Sequence, residues 1–458
     1  MTECNSNAIG FSSLGRRSVI ADFAGGTITS DGGALLLREA DRGLGLIEAI
    51  NAVIPDPRHP IYIVHDQAVM LRQRIYAIAM GYEDGNDHQQ LRQDPLMQAL
   101  TERGVNAKIP LASPPTLCRL ENRIERKTLV RISEVFVEMF IAAQQQPPEE
   151  IILDFDATDD PVHGNQVGRF FHGYYDGYCF LPLYVFCGDD LLCAYLRPAN
   201  RDGASHSWAI LSLLVKRLRE VWPKTRLIFR GDSGFCRWRM LRWCERHQVG
   251  YIVGLARNKR LEAMAQNWME QAKQGYQASG QKQRLFNDLE YAAGSWDKPR
   301  RVISKAEYLE GGPNHRFVVT NLAGDGQKLY DQLYCQRGEM ENRIKEQQLC
   351  LFADRTSCHD FQANQFRVLL SAAAYVLINH IRREALAGTE LQQAQADTIR
   401  LKLLKIGGRV LCSVRRVVLH LSSACPMQQL FALAAARLVK LARPLSSVSC
   451  PPIFFAGG

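Results

Sequence analysis

The chain has 458 residues, 46% of them apolar, and its 56 lysines and arginines against 47 aspartates and glutamates leave a net charge of +9. It is too long for one ordinary core and apolar enough to bury two or three, which excludes a disordered chain. No apolar run reaches the roughly 18 residues of a membrane span, MTECNSNAIGFSSLGRR has no apolar leader segment, and the thirteen cysteines include no Cys-x-x-Cys pair, so membrane, disulfide-scaffold and zinc-site classes are set aside and a cytoplasmic site is expected.

Residues 1–146 read mainly as helix, broken at the glycine-rich AGGTITSDGG and MGYEDGND. Within them SPPTLCRLENRIERK carries a helix start, with Ser113 as N-cap and Pro114 at the first helical position, then Leu117, Leu120 and Ile124 at helical spacing. The other face offers Arg119, Asn122, Arg123 and Arg126, donors suited to phosphates and base edges; the same pattern also describes an ordinary amphipathic surface helix. The polar AAQQQPPEE reads as a linker and puts a boundary near Gln146.

From 147 to 385 strands alternate with helices. EEIILDFDAT, YCFLPLYVFCG, LLCAYLRPAN, TRLIFRGDSG and VGYIVGLAR read as strands, and 205–221 and 238–247 as helices, so a mixed α/β sheet is expected. Between about 259 and 316 the rhythm breaks into a helical start and a polar, strand-like piece, YAAGSWDKPRRVISKAEYLEGGPNHRFVV, that looks inserted. Two long helices, YDQLYCQRGEMENRIKEQQLCLFADR and FQANQFRVLLSAAAYVLINHIRREAL, close the region. The tail is basic, with eleven lysines and arginines against three carboxylates from residue 381 onward. Arg415 and Arg416 stand in IRLKLLKIGGRVLCSVRRVVLHL, whose alternation of cations and apolar residues suits a nucleic-acid backbone and equally a solvated face.

One strand is anomalous. Asp154, Asp156, Asp159 and Asp160 crowd the apolar IILDFDATDD, and charge on a buried strand must be paired, solvated or bound to a cation. Asp154 and Asp156, two apart, share a strand face. Asp232 ends the strand RLIFRGDSGF in a Gly-Asp-Ser-Gly turn, at the kind of strand end where sites form. On the helix starting near Tyr330, spacings of three and four put Tyr334, Arg337, Glu341, Lys345 and Gln348 on one face. Singly these carboxylates are ordinary turn formers or surface ion pairs. Jointly, three on separate elements could hold two Mg2+ ions, since hard cations take oxygen ligands, and two such ions support in-line displacement at a phosphodiester.

The segments DFDAT, FRGDSGF and YCQRGEMEN resemble the three acidic motifs of bacterial insertion-sequence transposases of the DDE superfamily, in the branch with a tyrosine-arginine-glutamate-lysine signature. Tyr334, Arg337 and Glu341 match its Y-x-x-R-x-x-x-E spacing. The resemblance implies an α/β fold: an RNase H-like mixed sheet with helices on both faces at 147–385, interrupted by a β-rich insertion at about 259–316. A mainly helical DNA-binding domain at 1–146 and a basic region at 386–458 for DNA or partner contacts flank it. It further implies catalytic Asp156, Asp232 and Glu341 holding two Mg2+ ions, for which Mn2+ substitutes. The family's D-x-T pattern falls on Asp156, leaving Asp154 as second choice. Tyr334 and Arg337 become DNA contacts. The signature lysine would fall seven residues after Glu341, where this chain has Gln348; Lys345, one turn after Glu341, is the substitute phosphate contact.

The implied activity is cut-and-paste transposition. The protein binds double-stranded terminal inverted repeats, hydrolyses a phosphodiester at the element's end, and directs the freed 3′-hydroxyl at target DNA, as a homodimer assembled on the ends. A catalytically silent DNA-binding descendant and a plain Mg2+-dependent nuclease are the alternatives. The intact acidic residues argue against the first, and Tyr334 with Arg337 against the second.

Two more segments carry expectations. HGNQVGRFFHGYYDGY sets His163, Gln166, Arg169, His172, Tyr174 and Tyr175 just after the first acidic strand, either to stack on unpaired bases or simply as a hairpin rich in glycine and tyrosine. His163 reads as a hydrogen-bonding group, because Mg2+ prefers oxygen. Trp296, in the polar AAGSWDKPRR, is expected either to pack a small sheet of the insertion's own or, with Arg300 and Arg301 on the backbone, to stack on a base displaced near a hairpin intermediate.

Overall fold

The computed structural model describes residues 8–102 and 109–442, so Arg443 of the basic tail lies outside the described residues. These residues cluster into two compact units, one from 8–47, 56–102, 109–119 and 380–442, the other from 48–55 and 120–379. The limits differ from 146 and 385 for two reasons. The helix α1 (Arg126–Ala143) buries Val137 and Phe140 in the core of the second unit, and the N- and C-terminal segments share a sheet in the first, where Thr29 pairs with Gly408.

The second unit is built on eight strands: β1 (Glu150–Ala157), β2 (Leu183–Cys187), β3 (Asp190–Tyr195), β4 (Arg226–Gly231), β5 (Gly250–Leu255), β6 (Gln283–Tyr291), β7 (Arg300–Leu309) and β8 (Gly312–Thr320). Their order is β6-β7-β8-β5-β4-β1-β2-β3. β4 runs parallel to both β1 and β5, and every other neighbouring pair is antiparallel. Tight links suffice for the antiparallel pairs β2-β3 and β7-β8, whereas the parallel strands need crossovers, supplied by α2 (Ser207–Val221) and α3 (Trp238–Arg246).

Alternation along the strands sorts side chains into two apolar layers. Leu153 and Phe155 of β1 and Leu227 and Phe229 of β4 join Leu214 and Leu218 of α2 and Leu241 of α3. Ile228 and Ile252 face the other way, toward Ile303, Val318 and Tyr330, and on that side Phe186 of β2 meets Tyr375 of α6 (Phe361–His380) edge-on at 5.8 Å. Helices thus cover both faces.

The segment expected as an insertion forms α4 (Lys259–Ser279) and then β6, β7 and β8. It has no separate sheet. β8 pairs with β5, Ile252 opposite Thr320, so these strands extend the main sheet and contribute Val302, Phe317 and Val319 to its core. The helical start and β-rich remainder are as read from the sequence, whereas the small sheet of the insertion's own is replaced by an extension of the main one, in which the apolar Phe317–Val319 run is buried along the edge of β5.

The first unit is helical in its middle, at Leu35–Leu44 and Gln67–Met80, but its ends form strands that periodicity did not reveal. Ile9–Leu14 pairs with Arg17–Ala21, and Ile28–Thr29, Gly408–Cys412 and Val417–Leu421 make a three-stranded sheet. Arg415 and Arg416 occupy the tight turn of its last hairpin, where Ser413 N–H donates to the Arg416 carbonyl at 2.8 Å; both side chains are exposed. The helix Pro114–Asn122 starts where its proline predicts, with Leu117, Leu120 and Ile124 buried. Among the described residues the cysteines are free thiols, and no helix is long and apolar enough to cross a membrane.

Candidate active site

Parallel pairing brings the first two carboxylates together. Phe155 of β1 lies opposite Gly231 of β4, so the next residues, Asp156, still paired with Tyr184 of β2, and Asp232, just past the end of β4, come side by side at the carboxyl ends. Asp232 closes the turn that follows, accepting the Gly234 N–H at 2.8 Å, and the buried Phe235 pins that turn by packing edge-on against Phe155 at 6.2 Å.

The third carboxylate arrives on a helical run from Gly326 to Cys350, which changes from a wide π turn (Leu329–Tyr334) through a 3-10 turn (Cys335–Arg337) into α5 (Gly338–Lys345). Such irregular turns frequently mark functional positions. Arg337, at the junction, donates to Asp156 Oδ2 at 3.0 Å and to Glu341 Oε1 at 2.7 Å, joining helix to strand. Burial pushes the Asp156 carboxyl up to about 7; Arg337 pulls it down, and the charges of Asp232 and Glu341 push it further up. Burial pulls the Arg337 guanidinium down, but Asp156 foremost, with Glu341 and Asp232, leaves it raised and charged.

Tyr334 sits one turn before Arg337 in a space that exists because residue 254 is glycine. A Cβ on Gly254 would lie 2.6 Å from Tyr334 Oη and 2.8 Å from Ser233 N. Burial raises the Tyr334 phenol, with Arg337 opposing and Asp232 adding. Tyr334, Arg337, Glu341, Asp156 and Asp232 therefore form one group. Among the described residues no three His, Cys, Asp or Glu side chains stand close enough to share one ion, since the Arg337 guanidinium lies between Asp156 and Glu341.

Asp154 is occupied elsewhere. Arg230, directly opposite on β4, donates Nε and Nη2 to its two oxygens and Nη1 to the Leu333 carbonyl, locking the helical run to the sheet. Both partners are buried, and burial raises the Asp154 carboxyl against the pull of Arg230. Of the two turn aspartates, Asp160 is buried in a short strand and accepts the Thr356 hydroxyl at 2.8 Å. Gln348, at the expected lysine position, donates to the Asp159 carbonyl at 2.7 Å and so ties the helix to the segment after β1. Lys345 is exposed. Sequence reasoning missed Arg230 and Gly254, and each had a signal: a cation inside the apolar strand RLIFRG, and a lone glycine inside the strand YIVGLAR, which marks close approach by other atoms.

The remaining expected DNA contacts each have their own surroundings. Arg119 is exposed on the Pro114–Asn122 helix and donates to Thr116 Oγ1 at 3.2 Å, and Arg123 follows the helix end. Trp296 is half-buried against the core, edge-on to Tyr291 at 5.6 Å, with the Arg300 guanidinium 5.4 Å from its ring centre. Arg300 pairs with Glu245 at 2.7 Å and Asp297 at 2.9 Å, and Arg301 with Asp288 at 2.8 Å. Of the two expectations for Trp296 this is the packing one, with the main core in place of a separate small sheet.

Two aspartates at the ends of neighbouring parallel strands thus stand with a glutamate brought to them by a helix. A family model described as a transposase DDE domain, group 1, matches residues 11–443, and the chain belongs to that family. No curated protein matches it.

Proposed function

We propose that this protein is the transposase of an insertion sequence, binding the element's terminal inverted repeats, cutting a phosphodiester at each end and joining the freed 3′-hydroxyl to target DNA. The observation that carries the reading is the bridge from Arg337 to Asp156, 181 residues away in sequence, which sets Glu341 against Asp156, with Asp232 near enough to raise the Asp156 carboxyl. The antiparallel strands β1 to β3, followed by two strands parallel to β1, support the RNase H-like reading of the sheet.

The donor chemistry fits a divalent cation. Asp156, Asp232 and Glu341 offer only oxygen, and they carry more negative charge than Arg337 balances. Bound there, two Mg2+ or Mn2+ ions would supply charge compensation to the attacking and leaving oxygens of an in-line displacement. The chain's own part is positional. Asp232 is held by its turn, Asp156 by the β1–β4 register, and Glu341 by the helix that Arg230 and Gln348 fasten down. Arg337 can exchange its carboxylate partners for a phosphate, which its planar fork suits equally well, and Tyr334 adds a hydroxyl beside it. Asp154 stays with Arg230. Arg119 and Arg123 confer end preference, Lys345, Arg415 and Arg416 contact phosphates, and the active species is a homodimer on two DNA ends.

The test is cleavage of DNA carrying the element's terminal repeats, with strand ends mapped. Asp156→Ala, Asp232→Ala and Glu341→Ala each abolish cutting and leave end binding within about twofold, because the side chains act on the reacting phosphate and add little to affinity for the duplex. Strand cleavage retained by Asp232→Ala would remove the reading, and cutting without joined products would reduce the protein to a nuclease.

A further inference from the structure

The stretch between β1 and β2 raises a question that the acidic group does not answer. It leaves β1 one residue after Asp156 and, from Asp160 onward, forms a small antiparallel sheet of Asp160–Pro161, Gly177–Phe180 and Phe170–His172, in which Phe171 faces Tyr178 and His172 faces Gly177. One side is anchored. Cys179 and Leu181 are buried with Ala199, and Tyr175 packs against them, its phenol pushed up to about 12 by burial with Asp159 and Asp156 adding. The other side is bare. Phe171 is 54% exposed, Tyr178 52% and Tyr174, at the tip, 85%. Phe171 and Tyr178 meet edge-on at 5.7 Å, Tyr174 stands perpendicular to the anchored Tyr175 at 5.0 Å, and the Arg169 guanidinium lies 4.7 Å from the centre of the Tyr178 ring.

Exposed rings in this number are unusual for a polar hairpin and call for an occupant. A guanidinium among them selects a flat anionic partner over an aliphatic one. Tyr175, in contact with Tyr174, is near enough to Asp156 and Asp159 for both carboxylates to act on its phenol, so the rings adjoin the side of the sheet where the proposed reaction parts the strands and bases lose their neighbours. Trp296, the other aromatic considered for this role, is committed to Tyr291 and Arg300.

Resting on the transposase reading, we infer that Phe171, Tyr174, Tyr178 and Arg169 form a stacking platform for unpaired bases of the DNA strand at the cleavage point. The three rings supply faces for bases, Arg169 supplies charge for the adjoining phosphate, and Tyr175 fixes the tip. Recognition of this kind is tolerant of sequence, since every base has a π face.

The experiment uses the full-length protein in EDTA and two probes of generic sequence, a blunt duplex and the same duplex with a short single-stranded oligo-dT extension. Wild type prefers the extended probe. Tyr174→Ala and Phe171→Ala each lower affinity for it about fivefold to a hundredfold with blunt-duplex affinity unchanged, and Tyr174→Trp restores it. Trp296→Ala keeps the preference. The inference is overturned if the alanine variants keep the wild-type preference, if Trp296→Ala alone loses it, or if Tyr174→Ala changes the oligomeric state in sedimentation, which would make the face a contact between copies of the chain. Binding is read without metal and transposase activity by Mg2+-dependent cutting of terminal-repeat DNA, so the two readings fail separately.

Discussion

Gly254→Ala is the sharpest test of how the site is built, because a single methyl group meets the chemistry from behind. A Cβ there would stand 2.6 Å from Tyr334 Oη, 2.8 Å from Ser233 N and 3.2 Å from the Asp232 carbonyl carbon, whereas ordinary contact starts at 3.4 Å. Relief therefore needs movements of about 0.8 Å at Tyr334 and about 0.6 Å at Ser233, the differences between 3.4 Å and the first two distances. The Tyr334 side chain can yield. Ser233 N is backbone, and it can move only by carrying Asp232 with it. Overpacking of this kind costs about 1–3 kcal/mol, which at roughly 2–4 °C per kcal/mol for a large domain lowers Tm by several degrees. Displacing a reacting group by a sizeable fraction of an ångström costs up to about 100-fold in rate, so cleavage per folded molecule is expected to fall about tenfold to a hundredfold.

The control lies on the same strand. A Cβ on Gly250, at the other end of β5, would meet the Leu322 side chain at 2.7 Å and nothing of the acidic group. Gly250→Ala should lower Tm comparably and leave cleavage by the folded fraction intact. Calorimetry gives the stabilities, and single-turnover cutting of terminal-repeat DNA gives the rates. Adding Tyr334→Phe to Gly254→Ala should recover only part of the loss, because the clash with Ser233 N remains. Equal rates for the two alanine variants after correction for folding would refute the reasoning.

Asp154→Ala strands Arg230 in the core and should cost about 3–5 kcal/mol, so its deficit appears first as a lowered Tm; a variant of wild-type stability that cannot cut would return Asp154 to the metal ligands. In metal-free protein, Asp156 binds a proton more tightly folded than unfolded, near 7 against 3.8. The folded state therefore loses up to roughly 4 kcal/mol as pH rises from about 4 through about 7, and urea titrations should show that slope flattened in Asp156→Asn. Without DNA, Arg337→Gln should bind Mn2+ about tenfold more tightly, read by electron paramagnetic resonance, because the competing guanidinium is gone; weaker binding shows that Arg337 does not compete. Neutralising Arg415 and Arg416 should flatten the log–log salt dependence of DNA binding by about 0.9 per lost phosphate contact, and an unchanged slope makes the turn a solvated one.

What could be read from the sequence was local. The alternation of Ile151, Leu153 and Phe155 marks β1, the proline marks the start of Pro114–Asn122, and the spacing of Tyr334, Arg337 and Glu341 marks one helix face. The order of the strands was not legible, because β8 beside β5 is a pairing between segments about seventy residues apart and no local pattern encodes it. The sequence left Trp296 between packing and base stacking for the same reason. Its neighbours in sequence are polar, while its neighbours in space are Tyr291 and Arg300. The terminal strand at Ile28–Thr29 escaped notice because it gains its partner, Gly408–Arg409, from the far end of the chain.

Asp154 and Asp156 show how position alone divides one residue type between two roles. Both carboxylates lie on the same face of β1, and both are pushed up by burial. Asp154 falls within the β1–β4 register, directly opposite Arg230, so a cation meets both of its oxygens and its charge is cancelled inside the sheet. Asp156 is one residue past the last β1–β4 pair, where the neighbouring strand offers Asp232 in place of an arginine. There the helix adds Glu341 and a single guanidinium, and three carboxylates against one cation leave the group two negative charges in excess when all are ionised. A phosphate brought to that group would deepen the imbalance, and a water molecule would not relieve it. Added positive charge would relieve it, so the group proposed to cut DNA would need cations before it could accept a phosphate. Sheet register and charge count together separate the aspartate that fastens the fold from the aspartate proposed to hold a divalent cation.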